Sequence, residues 1–163
     1  MPTLAVVGCG TMGRAIVTGL LDAGVLPAHE VVATVRREEA TSELEQTLGV
    51  RVCTDNVAAV READVVLLAV KPQVAQEVLC DSELRSALSG KLLISIAAGV
   101  RLRQLAEWLP EAALVRAMPN TPCTIREGMT VVSPGPRATD AHLAFAMRVF
   151  GSVGRCRELD EKY

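Results

Sequence analysis

Leu4-Ala5-Val6-Val7-Gly8-Cys9-Gly10-Thr11-Met12-Gly13 is the stretch that decides how this chain is read. Four apolar residues run directly into three glycines spaced G-x-G-x-x-G. From Met12 to Ala23 the apolar spacing becomes helical, and Gly24 stands where a left-handed C-cap is expected. Such a strand–loop–helix corner lets the backbone approach an anion, and the free N–H groups and dipole at the helix's amino end favour negative charge there. The motif in this context points to a dinucleotide whose pyrophosphate lies against Gly8, Cys9, Gly10, Thr11, Met12 and Gly13. The alternative, a glycine turn with no ligand, is disfavoured by the flanking strand and helix and by a βαβ unit of suitable length.

The same alternation continues outward to the end of the chain. Short Val/Leu/Ile runs predict strands at Leu4–Val7, Val31–Val35, Val50–Cys53, Val65–Val70, Leu92–Ile96, Ala113–Arg116, Met129–Val132 and Arg155–Leu159. Helical spacing falls between most of them: Met12–Ala23, Glu38–Leu48, Asn56–Glu62, Gln73–Leu88 with a break near Asp81, Leu102–Leu109 and Thr139–Phe150. Leu143, Ala144, Met147 and Phe150 read as the core face of the last helix. Alternation of this kind predicts an α/β fold of Rossmann type: a doubly wound, mainly parallel sheet of about eight strands with flanking helices, as one domain over residues 1–163.

Composition agrees. The 163 residues are 50% hydrophobic and 22% charged, the balance of a globular protein long enough to fold without disulfides or metal. There are 22 alanines and 22 valines, small and β-branched residues suited to strands buried on both faces beneath close-packed helices. A net charge of −2 and four aromatics (Trp108, Phe145, Phe150, Tyr163) argue against a nucleic-acid partner. Five scattered cysteines with no C-x-x-C read as buried, reduced thiols, neither a disulfide framework nor a zinc site. No apolar run reaches the length of a membrane span and no signal peptide is visible, so the expectation is a soluble cytoplasmic protein with no membrane partner.

The end of the second strand chooses between cofactors. A nicotinamide cofactor without a 2′-phosphate usually meets a carboxylate there. This chain instead reads Thr34-Val35-Arg36-Arg37, with no acid before Glu38. Two guanidiniums suit a 2′-phosphate, so the expected cofactor is NADP(H) in preference to NAD(H). Three further stretches follow predicted strands, where open α/β sheets bind ligands: Leu68–Gln73, Ser95–Gly99 and Met118–Pro122. Small residues there allow a flat ring to lie on backbone, and an Asn can both donate to and accept from an amide. The two histidines, His29 and His142, read as solvent-exposed, and Cys123 as a quiet small residue. No metal site and no catalytic residue is assigned.

These residues carry a resemblance. Gly8–Gly13, Asn56, Ala69-Val70-Lys71-Pro72-Gln73 and above all Arg116-Ala117-Met118-Pro119-Asn120-Thr121-Pro122 with Gly128-Met129-Thr130 resemble pyrroline-5-carboxylate reductase, in order and across almost the whole chain. The resemblance implies reduction of the cyclic imine 1-pyrroline-5-carboxylate to L-proline with NAD(P)H. It implies that Cys9 to Gly13 hold the pyrophosphate and that Thr34 and Arg36 flank the adenosine ribose and its 2′-phosphate. It further implies that Asn56 touches the adenosine side. Ala69, Val70, Lys71, Pro72 and Ala97 would line the path to the nicotinamide, with Met118, Pro119 and Asn120 near the ring. Arg37 joins the phosphate site by charge and adjacency to Arg36. The family also carries a helical second domain that supplies the dimer interface and grips the substrate carboxylate. It would begin near Leu159–Tyr163, so this chain is expected to hold the cofactor half and to be inactive alone. A homo-oligomer is implied for the full-length enzyme. Two other readings remain at this point: a stand-alone, non-catalytic NADP(H)-binding module, and a related F420-type NADP oxidoreductase or β-hydroxyacid dehydrogenase.

Overall fold

The computed structural model describes residues 2–162; Met1 and Tyr163 lie outside it. Eight strands form one sheet in the order β3-β2-β1-β4-β5-β6-β7-β8. They are β1 (Leu4–Val7), β2 (Val31–Thr34), β3 (Arg51–Cys53), β4 (Val65–Leu68), β5 (Leu92–Ser95), β6 (Ala113–Met118), β7 (Gly128–Pro134) and β8 (Gly154–Glu158). The helices are α1 (Thr11–Asp22), α2 (Thr41–Leu48), α3 (Asn56–Glu62), α4 (Pro72–Leu79), α5 (Ser82–Leu88), α6 (Leu102–Trp108) and α7 (Asp140–Gly151). The fold is of Rossmann type, and every predicted strand is present within a few residues of its expected place.

The apolar runs are continuous because both faces of the sheet are covered. In β1, Leu4 and Val6 join the core beneath α1 and α7, whereas Ala5 and Val7 join the one beneath α3 to α6. Local signals set the helix ends. Asp55 accepts the Ala58 N–H at the start of α3, and Asp81 accepts the Leu84 N–H at the start of α5, ending α4 where the break was expected. Gly49 closes α2 in the left-handed conformation.

The sheet is mainly parallel, as expected, and its one antiparallel pairing joins β6 and β7, with Met118 opposite Val131 and Val115 opposite Pro134. Only the short 3-10 segment Thr121–Ile125 joins them, too little chain for a parallel crossover. The β7–β8 pairing is parallel again, with α7 as its crossover. No helix among the described residues is long and apolar enough to cross a membrane.

Candidate functional site

Parallel pairing places the carboxyl ends of β1, β2, β4, β5 and β6 on one edge. Val7 pairs with Leu68, Leu68 with Ser95 and Ser95 with Arg116, so the loops that follow them leave the sheet at a common level. Strand order reverses between β1 and β4, and ligands of open α/β sheets settle at such a switch point. The glycine loop stands there.

The loop is fixed mainly by its own backbone and by Thr34. The Gly10 N–H donates to Gly8 O at 2.8 Å, and the Cys9 N–H donates to Thr34 O at 2.8 Å. The Gly8 N–H donates to Thr34 Oγ1 at 3.1 Å, while that hydroxyl donates to Asn56 Oδ1 at 2.6 Å. Gly8 has φ +80°, and a Cβ on it would lie 2.4 Å from Val70 Cγ1. Cys9 is buried, and burial pushes its thiol up to about 11 although the nearby Arg14 guanidinium pulls the other way.

These bonds occupy polar groups of two of the expected residues. Cys9 was expected to offer its N–H to the pyrophosphate, but that donor is already spent on Thr34. Thr34 borders the cleft, yet it is fully buried and its hydroxyl is committed to Gly8 and Asn56, so it braces the loop. The donors left over are those of the first turn of α1, Thr11, Met12 and Gly13. No side chain caps that helix, and its first turn carries no acid. Above it a Cβ on Gly10 would meet nothing within 4 Å, so the backbone lies open to an approaching group. The residues present therefore fit a dinucleotide phosphate.

A cleft of about 680 Å³ opens beside this corner. Of the expected residues, Gly8, Thr34, Arg36, Asn56 and Val70 line it. Arg36 and Arg37 are exposed, and neither guanidinium has an ion-pair or hydrogen-bond partner among the described residues. Asn56 has its Oδ1 turned to Thr34, which leaves its amide N–H₂ as the donor for anything in the cleft. Val35, Thr54, Asp55, Val57, Val74, Glu77, Val78, Asp81 and Leu84 complete the walls and were not anticipated as site residues. Asp55 and Asp81 carried a signal only as helix caps. The α4 residues lie on a helix face, where no motif marks them.

The remaining expected residues lie outside this cleft. Lys71 is the N-cap of α4 and Pro72 its first residue; Ala69 and Ala97 follow β4 and β5 on the same edge. Met118, at the end of β6, is 38% exposed. Asn120 Oδ1 accepts the Met129 N–H at 2.9 Å, so one half of that amide ties the loop down and the other half stays available. A second cleft, about 580 Å³, opens near the amino ends of β1 and β2, beside the Arg51–Glu62 ion pair. It has no glycine loop, and it lies at the edge where α/β sheets do not place their ligands.

His29 is exposed as expected. His142 is not: it is half-buried, and its Nδ1 accepts the Thr139 N–H while Thr139 Oγ1 accepts the His142 N–H, a reciprocal cap on α7. The cysteines, read as buried, divide: Cys9, Cys123 and Cys156 are buried, Cys53 is partly so and Cys80 is exposed. All five are free thiols. Among the described residues no three metal-ligating side chains come together.

Fold and corner together define an NAD(P)-type Rossmann domain with its ligand edge at the carboxyl ends of the parallel strands. The chain belongs to the family described as NADP oxidoreductase, coenzyme F420-dependent, whose model matches residues 3–99. It is 37% identical over 157 residues to a pyrroline-5-carboxylate reductase of Arabidopsis thaliana, covering 96% of this chain and 56% of the relative. Its fold superposes on a pyrroline-5-carboxylate reductase from Coxiella burnetii with a TM-score of 0.92 and 32% identity, covering 99% of this chain and 60% of that one. A pyrroline carboxylate reductase of Plasmodium falciparum, solved with NADP bound, gives 0.86 at 28% identity, covering 99% and 58%. The chain thus spans less than two thirds of the length of these relatives.

Proposed function

We propose that this chain, residues 1–163, is the NADPH-binding domain of a cytoplasmic imine reductase that converts 1-pyrroline-5-carboxylate to L-proline and assembles as a homo-oligomer in its full-length form. The observation that carries the cofactor reading is the uncapped amino end of α1 beneath open Gly10, with unpaired Arg36 and Arg37 at the end of β2. The named relatives support the substrate. The family model bears another reductase's name but ends at residue 99, before Met118–Pro122 and Gly128–Thr130. Those segments carry the likeness to pyrroline-5-carboxylate reductases, and such relatives match over nearly the whole chain.

NADPH, when bound, supplies the hydride. The chain's own residues bind and orient. Thr11, Met12 and Gly13 donate backbone N–H groups to the pyrophosphate, and the α1 dipole favours its charge. Arg36 and Arg37 take the 2′-phosphate through charged hydrogen bonds, and the Asn56 N–H₂ donates to the ribose side. Ala69, Val70 and Ala97 are small enough for a flat ring to approach the backbone, with Lys71 and Pro72 beginning α4 beside it. Met118 and Pro119 flank the ring, and the free Asn120 N–H₂ can donate to its carboxamide.

Calorimetric titration with NADPH and NADH tests the reading. Arg36→Ala should weaken NADPH by about 1.5–3 kcal/mol, the worth of hydrogen bonds to a charged group, and leave NADH unchanged. Equal losses for both cofactors would remove the 2′-phosphate assignment.

A further inference from the structure

The buried guanidinium of Arg116 is used neither by the glycine corner nor by the 680 Å³ cleft. Arg116 is 8% exposed, and its Nη1 donates to Glu161 Oε2 at 3.1 Å. That same carboxylate oxygen accepts the Leu102 N–H at 2.7 Å, the first of α6. Arg116 Nε is buried with no hydrogen-bond partner, so Glu161 is the one acceptor that meets this guanidinium among the described residues. A buried charge with a single partner depends strongly on that partner.

Place makes this contact matter. Arg116 precedes Met118 by two residues on β6, and Met118-Pro119-Asn120 continues directly from the strand. Asn120 ties the far end of that segment to Met129. The near end is held from below, because Glu161 joins β6 to the amino end of α6 across 45 and 59 residues of sequence. The near end of the segment is thus paired in the sheet between β5 and β7, with the Arg116–Glu161 contact bracing β6 against α6, and the far end is tied by Asn120.

We propose that Arg116 and Glu161 are positioning residues that set Met118–Asn120 against the nicotinamide end of the cofactor. The inference rests on the cofactor reading above. It assigns Arg116 and Glu161 no contact with the cofactor, and the adenosine end, on the far side of β1 from β6, does not depend on them.

Titrations of the chain with NADPH and with 2′,5′-ADP, which lacks the nicotinamide half, separate the two ends. Wild type should bind both; failure to bind either overturns the cofactor reading itself. Glu161→Gln keeps the shape and removes the charge. It should weaken NADPH by about tenfold while 2′,5′-ADP stays within about twofold, and the fluorescence of saturating bound NADPH should move toward that of free NADPH. Glu161→Asp retains the charge and should recover part of the loss. If Glu161→Gln does not melt cooperatively, Glu161→Asp alone is compared with wild type, and a selective NADPH loss is still required. A folded variant that binds both ligands as wild type does, or loses both equally, would show that the contact is structural only and overturn the proposal.

Discussion

Two corners of one sheet edge are built in opposite ways. At the β1–α1 corner the main chain does most of the work: the N–H groups of Gly8, Cys9 and Gly10 are all spent within the corner, and Thr34 is the main side-chain brace. At the β6–β7 corner the main chain closes the turn, with Cys123 N–H on Asn120 O and Glu127 N–H on Pro122 O, but side chains carry more of the bracing: Arg116 with Glu161 below, Asn120 with Met129 above. The difference follows from position. The first corner lies between parallel strands with helices on both faces. The second is where the sheet turns antiparallel, and beyond it Met129, Arg155 and Arg157 stand exposed on one face. A corner fixed by backbone should fail abruptly when its geometry is disturbed, whereas one fixed by side chains should loosen bond by bond.

Gly8→Ala should give the largest effect. The new Cβ would lie 2.4 Å from Val70 Cγ1 at φ +80°, so steric overlap and a left-handed backbone penalty act together. A loss of about 3 kcal/mol or more is expected in denaturant unfolding, with NADPH binding lost as well. Gly10→Ala supplies the contrast, since its Cβ meets nothing within 4 Å. Its stability should stay within about 0.5 kcal/mol of wild type while NADPH affinity falls, because the methyl group enters the ligand's space. Equal destabilisation by the two substitutions would break the account of the corner.

Thr34→Val comes next. The methyl group keeps the volume and strands two partners, the Gly8 N–H and Asn56 Oδ1. Because Thr34 is buried, about 1–3 kcal/mol of stability should be lost. A double-mutant cycle with Asn56→Ala should show coupling, since Thr34 orients the Asn56 amide. Strict additivity would mean that the hydroxyl braces the loop without Asn56.

What the sequence made legible divides along the same line. The glycine corner could be read because backbone chemistry leaves residue-type signatures: G-x-G-x-x-G after an apolar run, Gly49 after a helix, Asp55 and Asp81 before one. Both-face burial of β1 and β4 showed as uninterrupted apolar runs, and that of β2 and β5 as runs broken only by Thr34 and Ser95. The antiparallel step was not legible from the strand pattern, because β7 has strand composition whichever way it runs. The cue lay in the short spacing between Met118 and Gly128, which leaves no room for a crossover helix. Side-chain contacts between distant positions, such as Thr34 with Asn56 or Arg116 with Glu161, leave no local trace. For the same reason nothing near Thr34 in sequence showed that its hydroxyl serves the loop, and His142 read as exposed when it caps α7.

Asn120→Ala tests the side-chain corner at smaller scale. It removes the acceptor for the Met129 N–H at an exposed position where water can substitute, so a loss of about 1 kcal/mol or less is expected. Hydrogen exchange at the Met129 amide should quicken, while the amides of Gly8 and Cys9 keep their protection. Loss of protection at both corners would mean that the edge opens as one unit and that the contrast between them is false.

The smallest effect is confined to alkaline solution and belongs to the backbone corner. Burial raises the Cys9 thiol from an ordinary value of 9.0 to about 11, so the folded chain holds that proton where the unfolded chain has released it. The associated stability is fully present below about pH 9 and is lost as pH rises toward about 11, because the folded state binds more protons across that window. Cys156 is raised as well, again by burial, so the relevant quantity is the difference between wild type and Cys9→Ala in denaturant unfolding across pH. That difference should be flat up to about pH 9 and should then change in the direction of a weakening wild type. At neutral pH, thiol reagents should modify exposed Cys80 first and leave Cys9 until the chain unfolds. Rapid modification of Cys9 in the folded chain would show that the glycine loop opens on its own, and the backbone corner would then be the looser of the two.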